Sequence, residues 1–188
     1  MMAKKAAAAQ FRTLGKTGFE VSPVALGCWQ IGGCWTSGDE TEVHKAALNA
    51  YLDSGANFLD TANVYGGDYG TDRFGWSEMT IREVLAERKA TGKDEGRRIY
   101  IATKAGRAPP GGDDHGPERY TYESLAASAA ASAERLGVEC IDLLQLHCPP
   151  TDVLRSDGVF DALRRLQAEK KILHWGVSVD GDETIWCL

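Results

Sequence analysis

No stretch of this 188-residue chain is long and apolar enough to suggest a membrane span. The longest uncharged run, residues 21–38, is interrupted by Pro23, Gly27, Gly32 and Gly33. The opening segment carries Lys4 and Lys5 but no apolar core before Gln10 and Arg12, so it reads as a leader rather than a signal peptide. Basic residues are too few for a surface-wide nucleic-acid footprint: 21 Lys+Arg face 27 Asp+Glu, a formal net charge of −6. A local basic pocket for a phosphorylated ligand stays open. The five cysteines are odd in number and form no CxxC pair, which argues against a disulfide framework or a thiolate zinc site and for a reducing cytoplasm. The four histidines form no HExxH and no ligand spacing with Cys or carboxylates, so no metal is expected.

Familiar nucleotide and nucleophile motifs are missing too. No GxGxxG follows a strand, and Gly15-Lys16-Thr17 lacks the earlier glycine of a phosphate loop, which would fall at Gln10. Gly176-Val177-Ser178-Val179-Asp180 fails the GxSxG pattern at its last position. Disorder is also excluded, because 43% hydrophobic against 26% charged residues suffices to bury a core.

What is present is an alternation of segment types. Short apolar runs at Val24–Gly27, Asn57–Asp60, Ile99–Lys104, Ile141–His147 and Trp175–Val179 read as buried strands. They recur at intervals of roughly 30 to 45 residues, room for one crossover helix and its loops, the spacing of repeated βαβ units. Four helical stripes lie between: Val43/Ala46/Ala47/Ala50, Ile81/Val84/Leu85/Arg88, Leu125/Ala129/Ala133/Leu136 and Val159/Leu163/Leu166. Asp39 with Glu42 resembles a capping box, and Gly55 and Gly137 suit helix stops. Phe11–Leu14 and Phe19–Val21 around Gly15–Gly18 predict an N-terminal β-hairpin. Two long loops, Gly66–Trp76 and Gly106–Tyr120, follow strands, where α/β proteins meet ligands.

Reactive side chains gather at the same strand ends. Asp60 closes the second strand, with Tyr65 five residues on; Lys104 closes the third and His147 the fourth. Neighbouring parallel strands lie about 4.8 Å apart, so these four side chains can share one patch. A free phenol has a pKa near ~10, and an adjacent ammonium favours its phenolate while a carboxylate holds the ammonium in place. Tyr65 could then protonate a carbonyl oxygen oriented by His147 as a hydride arrives, and the hydride requires a nicotinamide cofactor. Each residue alone also has a structural reading: a helix cap for Asp60, a packed ring for Tyr65, a solvated strand end for Lys104, a hydrogen-bonded core group for His147.

Asp60-Thr61-Ala62-Asn63-Val64-Tyr65-Gly66 resembles the D-T-A-x-x-Y-G signature of the aldo-keto reductases. Ile101-Ala102-Thr103-Lys104 is similar to that family's lysine strand and Asp142-Leu-Leu-Gln-Leu-His147-Cys-Pro to its histidine strand, with Leu26-Gly27-Cys28-Trp29 and Trp175-Gly176-Val177-Ser178 at the first and fifth strands. The resemblance implies a (β/α)8 TIM barrel and NADPH-dependent reduction of an aldehyde or ketone. It implies Tyr65 as proton donor, Lys104 as its tuner, Asp60 as the lysine's partner and His147 as the orienting group. Gly27, Cys28, Trp29, Asp60 and Ser178 would bind the cofactor, Ser178 through the carboxamide. Val179 stands where the family often has Asn, and Trp29 and Trp35 are candidate substrate walls.

A complete barrel of this type takes about 250 residues. The sequence therefore predicts an α/β fold that is an incomplete (β/α)8 barrel, with about five parallel strands, four helices and the hairpin. Residues 1–10 read as a disordered leader and 11–188 as one partial-barrel domain, truncated after the fifth strand by gene boundary or frameshift. The expected partner is a small carbonyl substrate, with neither nucleic acid nor membrane; unpaired edge strands are surfaces for self-association. Two alternatives stay open: a catalytically dead remnant or regulatory protein, and a Schiff-base lyase using Lys104.

Overall fold

The computed structural model describes residues 10–32, 40–66, 74–108 and 116–179. The expected leader up to Ala9, Trp35, the Asp39 cap, most of the two long loops and the C-terminal segment from Asp180 lie outside the described residues.

The chain opens with the predicted hairpin, β1 (Arg12–Thr13) antiparallel to β2 (Glu20–Val21), with Arg12 opposite Val21. Five parallel strands follow: β3 (Leu26–Gly27), β4 (Phe58–Asp60), β5 (Tyr100–Ala105), β6 (Ile141–His147) and β7 (Ile172–Ser178). They stand side by side in chain order, β3-β4-β5-β6-β7, and each crossover carries helix: α1 (Thr41–Asp53), α2 (Trp76–Ala90), α3 (Tyr122–Leu136), then α4 (Thr151–Leu154) with α5 (Asp157–Ala168). These are five consecutive strands of a (β/α)8 barrel. The fifth strand starts three residues earlier than the sequence reading, because Ile172 pairs with Ile141 below the aromatic run. The fifth helix is the single turn α4 behind Pro150, too short to show a period.

The helix-facing side of the sheet forms the core. Leu59 and Ile101 pack with Leu48, Leu52, Ile81 and Val84 of α1 and α2, while Leu144 and Leu146 pack with Leu125, Leu163 and Leu166 of α3 and α5. The stripes read for α2, α3 and α5 face this core, but that of α1 does not. Leu48 and Leu52 are fully buried, whereas Ala46, Ala47 and Ala50 are exposed and Val43 is 63% exposed. Burial energy scales with apolar area, so two leucines outweigh three alanines in setting the rotation of the helix. Gly137 ends α3 in the left-handed conformation at φ 70°, a stop that a residue without Cβ takes at little cost.

The hairpin closes the amino end of the sheet. Tyr100 and Lys104 share one face of β5, as His174 and Ser178 share one face of β7, by the two-residue period. The Phe19 ring stacks on Tyr100 at 4.4 Å and meets His174 edge-on at 4.8 Å. Buried Asn57 fastens the connection, accepting from Ser22 N at 2.8 Å and donating to Glu20 O at 2.9 Å and Arg98 O at 3.1 Å. Asn57→Ala is expected to cost about 2 kcal/mol of stability, since it strands buried backbone partners. Urea titration measures it, and a midpoint equal to the parent's would show the hairpin is held otherwise.

Candidate functional site

At the carboxyl end of the sheet, backbone bonds continue beyond the strands and set the loops that bear the reactive groups. Cys28 N donates to Asp60 O at 2.8 Å, Thr61 N to Ala102 O at 2.8 Å and Asn63 N to Lys104 O at 3.3 Å. The start of α2 reaches the same segments. Ser77 N donates to Tyr65 O at 3.3 Å, and the Ser77 hydroxyl donates to Cys28 O and bonds Thr61 Oγ1, both at 2.8 Å. Gly32 lies so close to the backbone of Tyr65 and Gly66 that a Cβ there would overlap them. Larger residues at position 32 would push the tyrosine loop away.

The structure brings Asp60, Tyr65, Lys104 and His147 together. Lys104 is 4% exposed, and its Nζ donates to Asp60 Oδ2 at 2.7 Å, Thr61 O at 2.9 Å and Tyr65 Oη at 3.1 Å. The same ammonium lies 4.8 Å from the Tyr65 ring centroid. His147 is buried and meets the Tyr65 ring edge-on at 5.9 Å between centroids; its backbone oxygen accepts from Tyr120 Oη at 3.0 Å. The phenol thus sits between a cation and an imidazole, with the carboxylate behind the cation.

Of the residues expected to bind cofactor, Gly27 pairs with Asp60 in the sheet and Ser178 with His147. Sheet order puts three strands between Gly27 and Ser178. Trp29 and Ser178 are half-buried; Cys28 is fully buried, and burial, reinforced by Asp60, pushes its thiol up to about 12. Cys28 is therefore a neutral packing group, not a nucleophile.

Three residues went unassigned in the sequence reading. Gln145 Nε2 donates to Asp60 Oδ1 at 3.1 Å; its signal was the two-residue spacing from His147, which puts both on one strand face. Ser77 and Glu78 are polar residues at a helix start, a pattern with no specific message. Glu78 is fully buried, accepting from Thr103 Oγ1 and from Arg135 Nε, both at 2.6 Å. It supports β5 directly behind Lys104.

A profile of the Aldo/keto reductase family matches residues 23–186. The chain belongs to the aldo/keto reductase family. Among curated relatives it is 40% identical over 140 residues to a 6-dehydroglucose reductase of Novosphingobium aromaticivorans, covering 74% of this chain and 41% of that one. It is 34% identical over 172 residues to the norsolorinic acid reductase stcV of Emericella nidulans, covering 86% and 40%. A probable voltage-gated potassium channel subunit beta of Arabidopsis thaliana is 29% identical, over 90% and 46%. Among solved structures, the holo form of the aldo-keto reductase AKR11C1 from Bacillus halodurans superposes with TM-score 0.73 at 25% identity, over 95% of this chain and 53% of that one. This aldo/keto reductase chain thus spans 40 to 46% of the length of these and other curated relatives. Among the described residues of this family member, no helix is long and apolar enough to cross a membrane, and no three His, Cys, Asp or Glu gather as a metal site.

Proposed function

We propose that the chain reduces a small aldehyde or ketone to the alcohol in the cytoplasm, with Tyr65 as proton donor and NADPH as cofactor. The observation that carries this reading is the Lys104 ammonium, 2.7 Å from Asp60 Oδ2 and 3.1 Å from Tyr65 Oη. Relatives named as reductases, and a structural neighbour described as a holo form, support the same chemistry.

The residues present fit a nicotinamide. Asn63 Oδ1 is buried with no hydrogen-bond partner, an acceptor left at this strand edge for an incoming donor. Among the described residues, a Cβ at Gly27 would meet nothing within 4 Å, which leaves room beside the end of β3. Gly27, Trp29 and Asp60 would hold the ring side, with fully buried Cys28 packed behind them rather than touching it, and Ser178, with a hydroxyl that both donates and accepts, would bond a carboxamide. When bound, the cofactor supplies the hydride for the carbonyl carbon.

Tyr65 gives its hydroxyl proton to the carbonyl oxygen as that carbon is reduced, and the phenolate left behind is stabilised by Lys104. Asp60 and Thr61 O keep the ammonium beside the phenol. His147, against the Tyr65 ring, offers an imidazole to orient the carbonyl oxygen. The phenolate then regains its proton from solvent, which closes the balance of one hydride and one proton per alcohol.

The lyase reading is disfavoured by the geometry of Lys104. Its Nζ donates to Asp60, Thr61 O and Tyr65, so attack on a carbonyl would require the ammonium to lose a proton and give up at least one of these bonds. Two measurements on the purified chain separate the readings: loss of NADPH absorbance on adding an aldehyde, and borohydride trapping of substrate on Lys104. Aldehyde-dependent oxidation of NADPH without trapping is expected. Trapping on Lys104 with no NADPH oxidation would overturn the proposal.

A further inference from the structure

We infer that Gln145 is a positioning residue for the reduction, dividing the Asp60 carboxylate so that Oδ1 is held by its amide and Oδ2 is turned to Lys104. The inference rests on the function proposed above and extends it to a residue outside the four groups already assigned. The geometry is direct. Gln145 lies opposite Lys104 in the β5–β6 register. Its Nε2 is 3.1 Å from Asp60 Oδ1, while Lys104 Nζ is 2.7 Å from Asp60 Oδ2. The Asp60 side chain is 34% exposed, and Gln145 is the donor that meets Oδ1 on the side away from Lys104.

A carboxylate free to rotate would no longer hold Oδ2 against Lys104, and the ammonium would be positioned by Thr61 O alone. Lys104 would then leave the 3.1 Å contact with Tyr65 Oη. The amide is suited to the task because it donates without adding charge. The titratable groups around Asp60 are Lys104, Tyr65 and Cys28, with His147 two residues along β6 from Gln145.

Two variants test the inference. Gln145→Leu keeps the bulk and removes the donor. In cofactor-free protein, tyrosinate absorbance, taken as the difference from the matching Tyr65→Phe protein, is expected to show the Tyr65 titration moved up by about one pH unit. In turnover, kcat is expected to fall about tenfold with KM unchanged, the effect of misplacing a reacting group by a fraction of an ångström. An unchanged titration together with an unchanged kcat would overturn the inference.

Gln145→Glu answers if the leucine variant does not fold. At acid pH its carboxyl is protonated and can donate to Asp60 Oδ1; at higher pH it is an anion facing another anion. Its activity relative to the parent should climb as pH falls, and a flat ratio would overturn the inference. A parent chain that shows no NADPH oxidation at all would remove the reductase reading instead, and the tyrosinate titration alone would then decide for or against Gln145.

Discussion

Tyr65→Phe is expected to lower carbonyl reduction about a thousandfold, roughly 4 kcal/mol in the barrier, while leaving NADPH affinity nearly unchanged. The substitution is narrow. The phenylalanine ring keeps the edge-on contact with His147 and the position 4.8 Å from Lys104, so packing is preserved and only the hydroxyl goes. Without it, among the described residues, the acceptors left to Lys104 Nζ are Asp60 and a backbone carbonyl, neither of which can donate a proton to a carbonyl oxygen. Steady-state kcat reads the first effect and quenching of tryptophan fluorescence by NADPH the second. A variant as active as the parent would take the proton-donor role away from Tyr65.

Arg135→Leu is expected to destabilise the fold by about 4 kcal/mol, through a buried charge left without its partner. Glu78 has no exposure, and its two oxygens are held by Arg135 and Thr103. Removing the guanidinium leaves an uncompensated buried carboxylate, whereas removing both charges does not. The Glu78→Met/Arg135→Leu double variant should therefore recover more than half of the loss, apart from the bond to Thr103. Chemical denaturation of the parent and the two variants makes the comparison. A double variant as unstable as Arg135→Leu would show that packing, rather than the stranded charge, is responsible. The pair matters for chemistry because Thr103 precedes Lys104 on β5, and Ser77, beside Glu78, fixes the backbone of Tyr65.

The strand ends were the most readable part of the sequence. Short apolar runs located β4, β5 and β6 closely, and the register of a parallel sheet then leaves little freedom for where Asp60, Lys104 and His147 meet. The hairpin was readable because four turn-forming residues separate its arms. Helix rotation was less so: in α1 the alanine stripe has the right period, but too little area to compete with Leu48 and Leu52. α4 escaped because one turn carries no periodicity. Gln145 was overlooked because an amide inside an apolar strand announces no chemistry until its partner across the sheet is known. The Glu78–Arg135 pair joins residues 57 apart in the chain, beyond any local pattern.

Phe19, wedged against Tyr100 and His174, seals one end of the face that holds Lys104 at the other. An affinity handle or solid support attached ahead of Arg12 would join the hairpin at the end of this face opposite Lys104 and Tyr65, so tethering from that side should not slow ligand exchange.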